Sequence, residues 1–143
     1  MTDRAAVVAA AREWIGTPWV HQQRLKGVAV DCVGLVIGIG RELGMCAPDF
    51  DVNGYGRRPD GTLLAQCAQL MRHIPRDTMQ PGDVIVVATD SAPCHMGILG
   101  DYRHGGLSLI HAAMGGLNRV VEHRLMFVRN MQFKGAYALP GLN

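Results

Sequence analysis

The apolar residues of this chain change their spacing half-way along the sequence, at Pro81-Gly82-Asp83. Before that turn they recur at helical intervals, and after it they form short runs, most of them separated by glycine-containing turns. The run from Val84 to Ala88 is wholly apolar, which is typical of a fully buried strand. Helices followed by a meander of strands predict an α+β domain.

The first half predicts three helices, each bounded by capping or helix-breaking residues. We expect them from a cap at Thr2 or Asp3 through Ile15, from Cys32 to about Leu43-Gly44, and from about Gly61 to His73. The second half predicts strands over residues 84–88, 96–99, 107–112, 119–123 and 135–139, whereas residues 17–30 and 45–60 are predicted to be irregular. Gly34 and Gly38 share one face of the second helix, which indicates close packing against the sheet.

Size and composition limit the class of protein. With 143 residues, of which 48% are hydrophobic and 18% charged, residues 1–143 are expected to form a single domain. A net charge of +2 argues against a nucleic-acid partner. No apolar run approaches the roughly 20 residues needed to cross a bilayer, and the first residues lack the apolar core of a signal peptide. We therefore expect no membrane insertion and no export signal.

The four cysteines have different interpretations. None belongs to a CxxC pair, so the sequence predicts no zinc ribbon, and we expect neither a metal nor a cofactor. Cys46 and Cys67 are interpreted as small buried hydrophobes. Cys94 is interpreted as a core thiol, because on a strand it points away from the face of His95. Cys32 differs because it begins a predicted helix, whose dipole is expected to lower the pKa of the thiol.

Two histidines follow Cys32 on neighbouring predicted strands. If strands 95–99 and 107–112 form a hairpin centred on Arg103, residues whose numbers sum to 206 face each other, and His95 faces His111. Directly opposite side chains share a face, with Cβ atoms about 4.5–5.5 Å apart. We expect that face to meet the Cys32 helix. The alternative interpretation is that the two histidines only satisfy hydrogen bonds in a half-buried sheet.

A cysteine at a helix start with histidines downstream is the arrangement of a thiol hydrolase. Cys32 is the predicted nucleophile, which attacks an amide carbonyl as its thiolate. His95 is the predicted base, which holds the thiolate in an ion pair and later protonates the leaving amine. His111 is predicted to fix the tautomer and orientation of His95.

Five segments carry a family resemblance: Gly16-Thr17-Pro18-Trp19, Asp31-Cys32-Val33-Gly34-Leu35, Pro81-Gly82-Asp83-Val84, His95-Met96-Gly97-Ile98 and Ile110-His111-Ala112. In order and spacing they resemble the NlpC-type cell-wall peptidases, most of all the short single-domain branch encoded with phage tail genes. The resemblance covers nearly the whole chain and implies a papain-like fold, with helices packed on an antiparallel sheet. It places the family's Cys-His-His triad on Cys32, His95 and His111. It also implies hydrolysis of peptidoglycan stem peptides, usually between γ-D-glutamate and diaminopimelate or lysine.

By the same resemblance, four residues are candidates for substrate binding. Trp19 stands where many relatives carry tyrosine, and its indole donates but does not accept a hydrogen bond. His21 and Gln22 match a His-Gln pair of the phage-tail branch, although solvated loop side chains are an equally good interpretation. Asp31 resembles an aspartate that helps to bind the amine of the stem peptide. It can equally cap the helix that begins at Cys32, where its charge would raise the pKa of the thiol.

Two functions from different classes remain open at this point. The first is a tail-associated thiol amidase that opens the cell wall for DNA entry. It would be made in the bacterial cytoplasm and then carried on the tail tip or baseplate, with peptidoglycan and tail hub or baseplate proteins as partners. The second is a structural subunit of the tail tip, in which the peptidase fold serves mainly in assembly. A thiol acyltransferase of the same broad superfamily is a third interpretation.

Overall fold

The computed structural model describes residues 3–52, 61–89, 94–114, 116–127 and 131–142. Its helices are α1 (Arg4–Arg12), α2 (Cys32–Glu42) and α3 (Gly61–Leu70). Its strands are β1 (Arg24–Leu25), β2 (Ala29–Val30), β3 (Arg72–Ile74), β4 (Val84–Ala88), β5 (His95–Asp101), β6 (Leu107–Ala112), β7 (Val120–Arg124) and β8 (Gln132–Ala138). None of the helices in these ranges is long and apolar enough to span a membrane.

The six long-range strands form one antiparallel sheet in the order β3-β8-β4-β5-β6-β7, while β1 and β2 form a separate two-stranded ribbon. Helices come first along the chain and the sheet second, so the predicted α+β class is confirmed. The two central strands, β4 and β5, are almost entirely buried.

Local signals set most element bounds correctly. Asp3 caps α1 by accepting a hydrogen bond from the Ala6 N–H, and α2 begins at Cys32 as predicted. Two helices are shorter than predicted: α1 ends at Arg12 and not at Ile15, and the third helix ends at Leu70. Residues 72–74 instead form an edge strand that pairs with residues 136–138, because pairing with a strand distant in sequence outweighs local helical spacing. The segment predicted to be irregular over 17–30 contains the β1–β2 ribbon.

The register of the β5–β6 hairpin differs from the prediction by two. The pairs Ile98–Ile110 and Leu99–Leu109 sum to 208, so the hairpin centres on His104 and not on Arg103. Because side chains alternate with a period of two, this even shift leaves every residue on its predicted face. His95 and His111 therefore still share a face, but they are diagonal neighbours and not direct partners.

The core is divided by the sheet. One cluster lies between the sheet and the helices, and it joins residues of α2 to alternate residues of the strands, including Met96, Ile98 and Ile110. A smaller cluster on the opposite face consists of Ile85, Val87, Leu99 and Leu109. Helix α2 thus packs on the face of Met96 and Ile98.

The glycines of α2 do not contact the sheet, which corrects the sequence-based interpretation. A Cβ added at Gly34 would clash with the backbone carbonyl of Gln23, and one added at Gly38 would clash with the indole of Trp14. The glycine face of α2 therefore packs against Trp14, two residues beyond the end of α1, and against the segment leading into β1. Close approach is still the reason for both glycines.

Residues 16–20 are held between the sheet and the ribbon by backbone hydrogen bonds. The Trp19 N–H donates to the Asn118 carbonyl at 2.8 Å, and the Val120 N–H donates to the Thr17 carbonyl at 2.9 Å. On the other side, the Val30 N–H donates to the Pro18 carbonyl at 2.9 Å. This segment joins the beginning of β7 to the strand that leads into Cys32.

Candidate active site

Cys32 lies at the N-terminus of α2 and beside the beginning of β5. Only 5% of the surface of Cys32 is exposed to solvent. The β5–β6 ladder stops at Ile98–Ile110, and beyond that point the backbone N–H of Met96 hydrogen-bonds the Cys32 sulfur. Met96 directly follows His95, so the fold brings the predicted nucleophile to the residue next to the predicted base.

Burial decides the protonation of this thiol. Desolvation raises the pKa of Cys32 to about 12, and the charges of Asp31 and Cys94 add to the rise. Hydrogen bonds from the Met96 and Val33 amides oppose it without reversing it. The prediction that the helix dipole gives a lowered pKa is therefore wrong, because loss of solvent outweighs the dipole. The predicted effect of Asp31 on the thiol is confirmed in direction.

His95 and His111 are in direct contact. The distance from His95 Nε2 to His111 Nδ1 is 2.8 Å, and the rings meet edge to face with centroids 5.0 Å apart. Gly97 lies opposite His111 on β5, and a Cβ added there would come within 2.9 Å of the His111 Cβ. The absence of a side chain at position 97 therefore makes room for the diagonal contact.

The two rings do not lie on the sheet face that packs against α2. The virtual Cβ of Gly97 meets the side chains of both Leu109 and His111, and Leu109 belongs to the cluster on the face away from the helices. The prediction that the histidines occupy the helix-facing surface is wrong for this reason. Cys32, the first residue of α2, approaches them at the beginning of β5 and not across the sheet.

Burial also keeps both imidazoles neutral. It lowers the pKa of His95 to about 4. Burial lowers the pKa of His111 to about 3, with further contributions from the charges of His95 and His123. Together with the raised thiol pKa, these shifts contradict the predicted resting ion pair: at neutral pH the site holds a thiol and neutral rings.

A third imidazole, which sequence reasoning missed, extends the pair. His111 Nε2 lies 2.8 Å from Nε2 of His123 on β7, and Nδ1 of His123 lies 2.9 Å from the backbone carbonyl of Arg124. In the β6–β7 register His123 pairs with Leu109, which makes it the diagonal neighbour of His111. His123 is two residues after Val121, the direct partner of His111, so the side chains of His123 and Val121 share a face of β7. This spacing is visible in the sequence, but its use requires the β6–β7 register, which the sequence does not reveal.

Asp31 holds the start of α2 and the preceding loop together. One carboxylate oxygen accepts hydrogen bonds from the Gly34 amide at 2.8 Å and from Arg24 at 2.9 Å, and the other accepts from the Gln22 amide at 2.8 Å. The side chain is only 4% exposed. Of the two interpretations left open, the structure bears out the helix cap. Binding of a substrate amine by Asp31 stays a prediction.

The other three candidate binding residues lie in the segment that approaches Asp31. Trp19 is partly buried against the core, and its backbone bridges to Val30, two residues before Cys32. The His21 Nδ1 lies 4.0 Å from the Asp31 carboxylate. Gln22 adopts a positive φ of 58°, which is uncommon for a residue other than glycine. The structure places all three close to the start of α2, and their contact with substrate stays a prediction.

The family profile described as the NlpC/P60 family matches residues 16–134. The chain belongs to the NlpC/P60 family. This match spans the Cys32 segment, both β5 and β6, and His123, and it confirms the family resemblance of the sequence motifs. No curated protein matches the chain.

Solved structures agree with this NlpC/P60 assignment. The NlpC/p60 domain of the peptidoglycan hydrolase SagA is 21% identical with a TM-score of 0.66, over 96% of this chain and 99% of that one. NlpC2 from Trichomonas vaginalis is 20% identical with a TM-score of 0.66, over 95% of this chain. An N-acetylmuramoyl-L-alanine amidase from Bacteroides uniformis is 13% identical with a TM-score of 0.57, over 94% of this chain and 96% of that one. These likenesses establish the papain-like fold of NlpC/P60 proteins. This chain spans 45% of the length of the Trichomonas protein.

The remaining cysteines of this NlpC/P60 domain lie in apolar surroundings. Cys67 and Cys94 are buried in the core cluster, as predicted. Cys46 is partly exposed and lines, with Cys67, an apolar cavity of about 170 Å³ between α2 and α3. All four cysteines are free thiols.

Proposed function

We propose that this chain is a cysteine hydrolase that cleaves amide bonds in the stem peptides of peptidoglycan. The observation that carries the proposal is the sulfur of Cys32 held beside the beginning of β5, the strand that bears His95, whose ring contacts His111 of β6. Membership of the NlpC/P60 family supports it, and so does the fold shared with a domain of a peptidoglycan hydrolase.

In the proposed mechanism Cys32 attacks the amide carbon while its thiol proton passes to His95, so that a sulfur–carbon bond forms. His95 then gives that proton to the leaving amine as the carbon–nitrogen bond breaks. Water, deprotonated by His95, hydrolyses the resulting thioester and returns the proton to the sulfur. Since the resting site is neutral, proton transfer accompanies attack and does not precede it. His111 positions His95 through the 2.8 Å contact.

A more specific proposal names the bond that is cut and the place where the chain acts. We infer that the bond joins γ-D-glutamate to the diamino acid. We also infer that the chain is made in the bacterial cytoplasm and acts at the tip or baseplate of a phage or phage-like tail. The motif Gly16-Thr17-Pro18-Trp19 followed by His21-Gln22 supports this, because it resembles the phage-tail branch. Trp19, His21, Gln22 and Asp31 would form the substrate pocket.

The activity is tested by incubating the purified chain with peptidoglycan under reducing conditions and identifying the released fragments by mass. We expect new amine ends on the diamino acid, and we expect Cys32→Ala to release none. The matched control is Cys46→Ala, which removes a thiol outside the site and retains the activity. Release by Cys32→Ala equal to that of the unaltered chain would contradict the proposal.

The location is tested with particles that carry Cys32→Ala. We expect them to assemble normally and to lose digestion of the wall, because the substitution removes the nucleophile and leaves the surface intact. Failure to find the chain in purified particles would overturn the tail assignment without touching the proposed chemistry. Assembly and infection unaffected on intact walls would favour the structural subunit.

A further inference from the structure

Three imidazoles form one hydrogen-bonded row from the buried site to the surface. The distances are 2.8 Å from His95 to His111, 2.8 Å from His111 to His123, and 2.9 Å from His123 to the Arg124 carbonyl. Exposure rises along the row: His95 is buried, His111 is partly buried, and His123 is exposed on β7 at the edge of the sheet. The mechanism above uses the first two rings only.

The far end of the row fixes the direction of every hydrogen bond. A backbone carbonyl only accepts, so Nδ1 of His123 must carry a proton. When His123 is neutral, its Nε2 is therefore an acceptor, and Nε2 of His111 must donate to it. Nδ1 of His111 is then the acceptor for Nε2–H of His95. The remaining nitrogen, Nδ1 of His95, is left with a free lone pair, as a base for the thiol requires.

We propose that His123 is a positioning residue of the active site, which sets the tautomers of His111 and His95 from the surface and takes up the positive charge formed when Cys32 is deprotonated. This inference rests on the proposed function for its catalytic consequence. The assignment of the protonated nitrogen in each of the three rings does not depend on the substrate.

The charge moves by two proton transfers that balance. When Nδ1 of His95 takes the thiol proton, Nε2–H of His95 passes its proton to Nδ1 of His111. Nε2–H of His111 then passes its proton to Nε2 of His123, which becomes an imidazolium. His95 now holds one proton, on Nδ1, where it is available to the leaving amine, and the return transfers restore the starting state.

Burial gives this transfer its driving force. A charge on His95 or His111 is penalised by loss of solvent, whereas the ring of His123 is exposed and its charge is hydrated. The Arg124 carbonyl accepts from the charged ring as well as from the neutral one. Within the described ranges no group of three or more His, Cys, Asp or Glu side chains is arranged to hold a metal ion, so the row is read as a hydrogen-bonded chain.

The kinetic test compares two substitutions of His123. His123→Ala removes the acceptor of the His111 proton, and we expect kcat to fall by roughly tenfold, less than the ~10²–10⁴-fold of a direct general acid or base because His123 acts through His111, with KM little changed. His123→Gln keeps an acceptor oxygen, and we expect it to recover part of the lost kcat. His104→Ala, which removes an exposed histidine of the β5–β6 loop, is the matched control and should keep the kcat of the unaltered chain.

The second readout is the nitrogen-15 NMR spectrum of the imidazoles, which does not require substrate. We expect the proton on Nδ1 of His123 and on Nε2 of both His95 and His111, and we expect His123→Ala to abolish the single tautomer of His111. Thermal unfolding of each variant verifies that it is folded.

The outcomes separate the two proposals. If the unaltered chain releases no fragment from peptidoglycan, the proposed function fails, and the NMR spectrum alone decides the inference. If the chain is active, the inference is overturned by a His123→Ala variant with unchanged kcat, or by a Gln variant no better than Ala. A proton found on Nε2 of neutral His123 overturns it in either case.

Discussion

At the scale of single residues, Asp31 combines roles that are usually separate. It caps a helix, accepts from a loop amide and pairs with Arg24, all while nearly inaccessible to solvent. The sequence predicted the cap because Asp31 directly precedes a helical run. It did not predict the Arg24 pair, which depends on how the β1–β2 ribbon folds back. The same limit applies to the pKa of Cys32, because burial is a property of the assembled core.

Asp31→Ala is expected to lower the free energy of unfolding by about 2–3 kcal/mol, because it removes the cap of α2 together with one of the two carboxylates that pair with the largely buried Arg24 guanidinium; the other, Asp51, remains. Asp3→Ala is the matched control, since Asp3 caps α1 at an exposed position. We expect Asp3→Ala to lower the free energy of unfolding by about 1 kcal/mol, as for an ordinary helix cap. Urea unfolding measures both, and equal losses would mean that Asp31 acts only as a cap.

At the scale of elements, close contacts on the glycine face of α2 fix the position of this helix against its neighbours. The sequence predicted its bounds from the cap and the apolar run, and the extent of β6 from its apolar residues. It missed β3, because that strand exists only through pairing with β8. It missed His123 for a related reason: neighbouring strands bring these imidazoles together, and their register is a tertiary property.

Gly38→Ala is expected to destabilise the fold by about 1–3 kcal/mol, because the new methyl group overlaps the buried indole of Trp14. Gly40→Ala lies on the same helix, where the nearest atom to the new Cβ is the Cys46 sulfur at 3.4 Å. That substitution should instead stabilise the helix by about 0.5–1 kcal/mol. Unfolding free energies of the two variants measure the difference, and equal signs would contradict this account of α2.

At the scale of the whole molecule, the buried histidines make folding stability depend on pH. In the fold the pKa of His95 is about 4 and that of His111 about 3, below the ordinary value of 6.5. The unfolded chain therefore binds more protons below pH 6.5, and acid favours unfolding. The stability is complete above that pH and is lost as the pH falls towards 4.

Between about pH 6.5 and 4.5 the free energy of unfolding should fall by about 1 kcal/mol per pH unit on average for each of the two histidines, because the unfolded imidazole is only half protonated at pH 6.5. Urea unfolding at several pH values measures the slope. His111→Gln removes one of the two titrating rings and should make the slope shallower. His104→Ala, which removes a histidine of the exposed β5–β6 loop, is the matched control to which the slope of His111→Gln is compared. A slope unaltered by His111→Gln would contradict this reading.

Residues 16–20 carry backbone hydrogen bonds to the beginning of β7 on one side and to β2 on the other. Trp19 belongs to this segment, and His21 and Gln22 come directly after it, while β7 also carries His123. A substrate that displaces Trp19 must therefore strain the hydrogen bonds that hold the beginning of β7. The candidate binding segment and the strand that carries the outermost histidine of the row are in this way mechanically coupled.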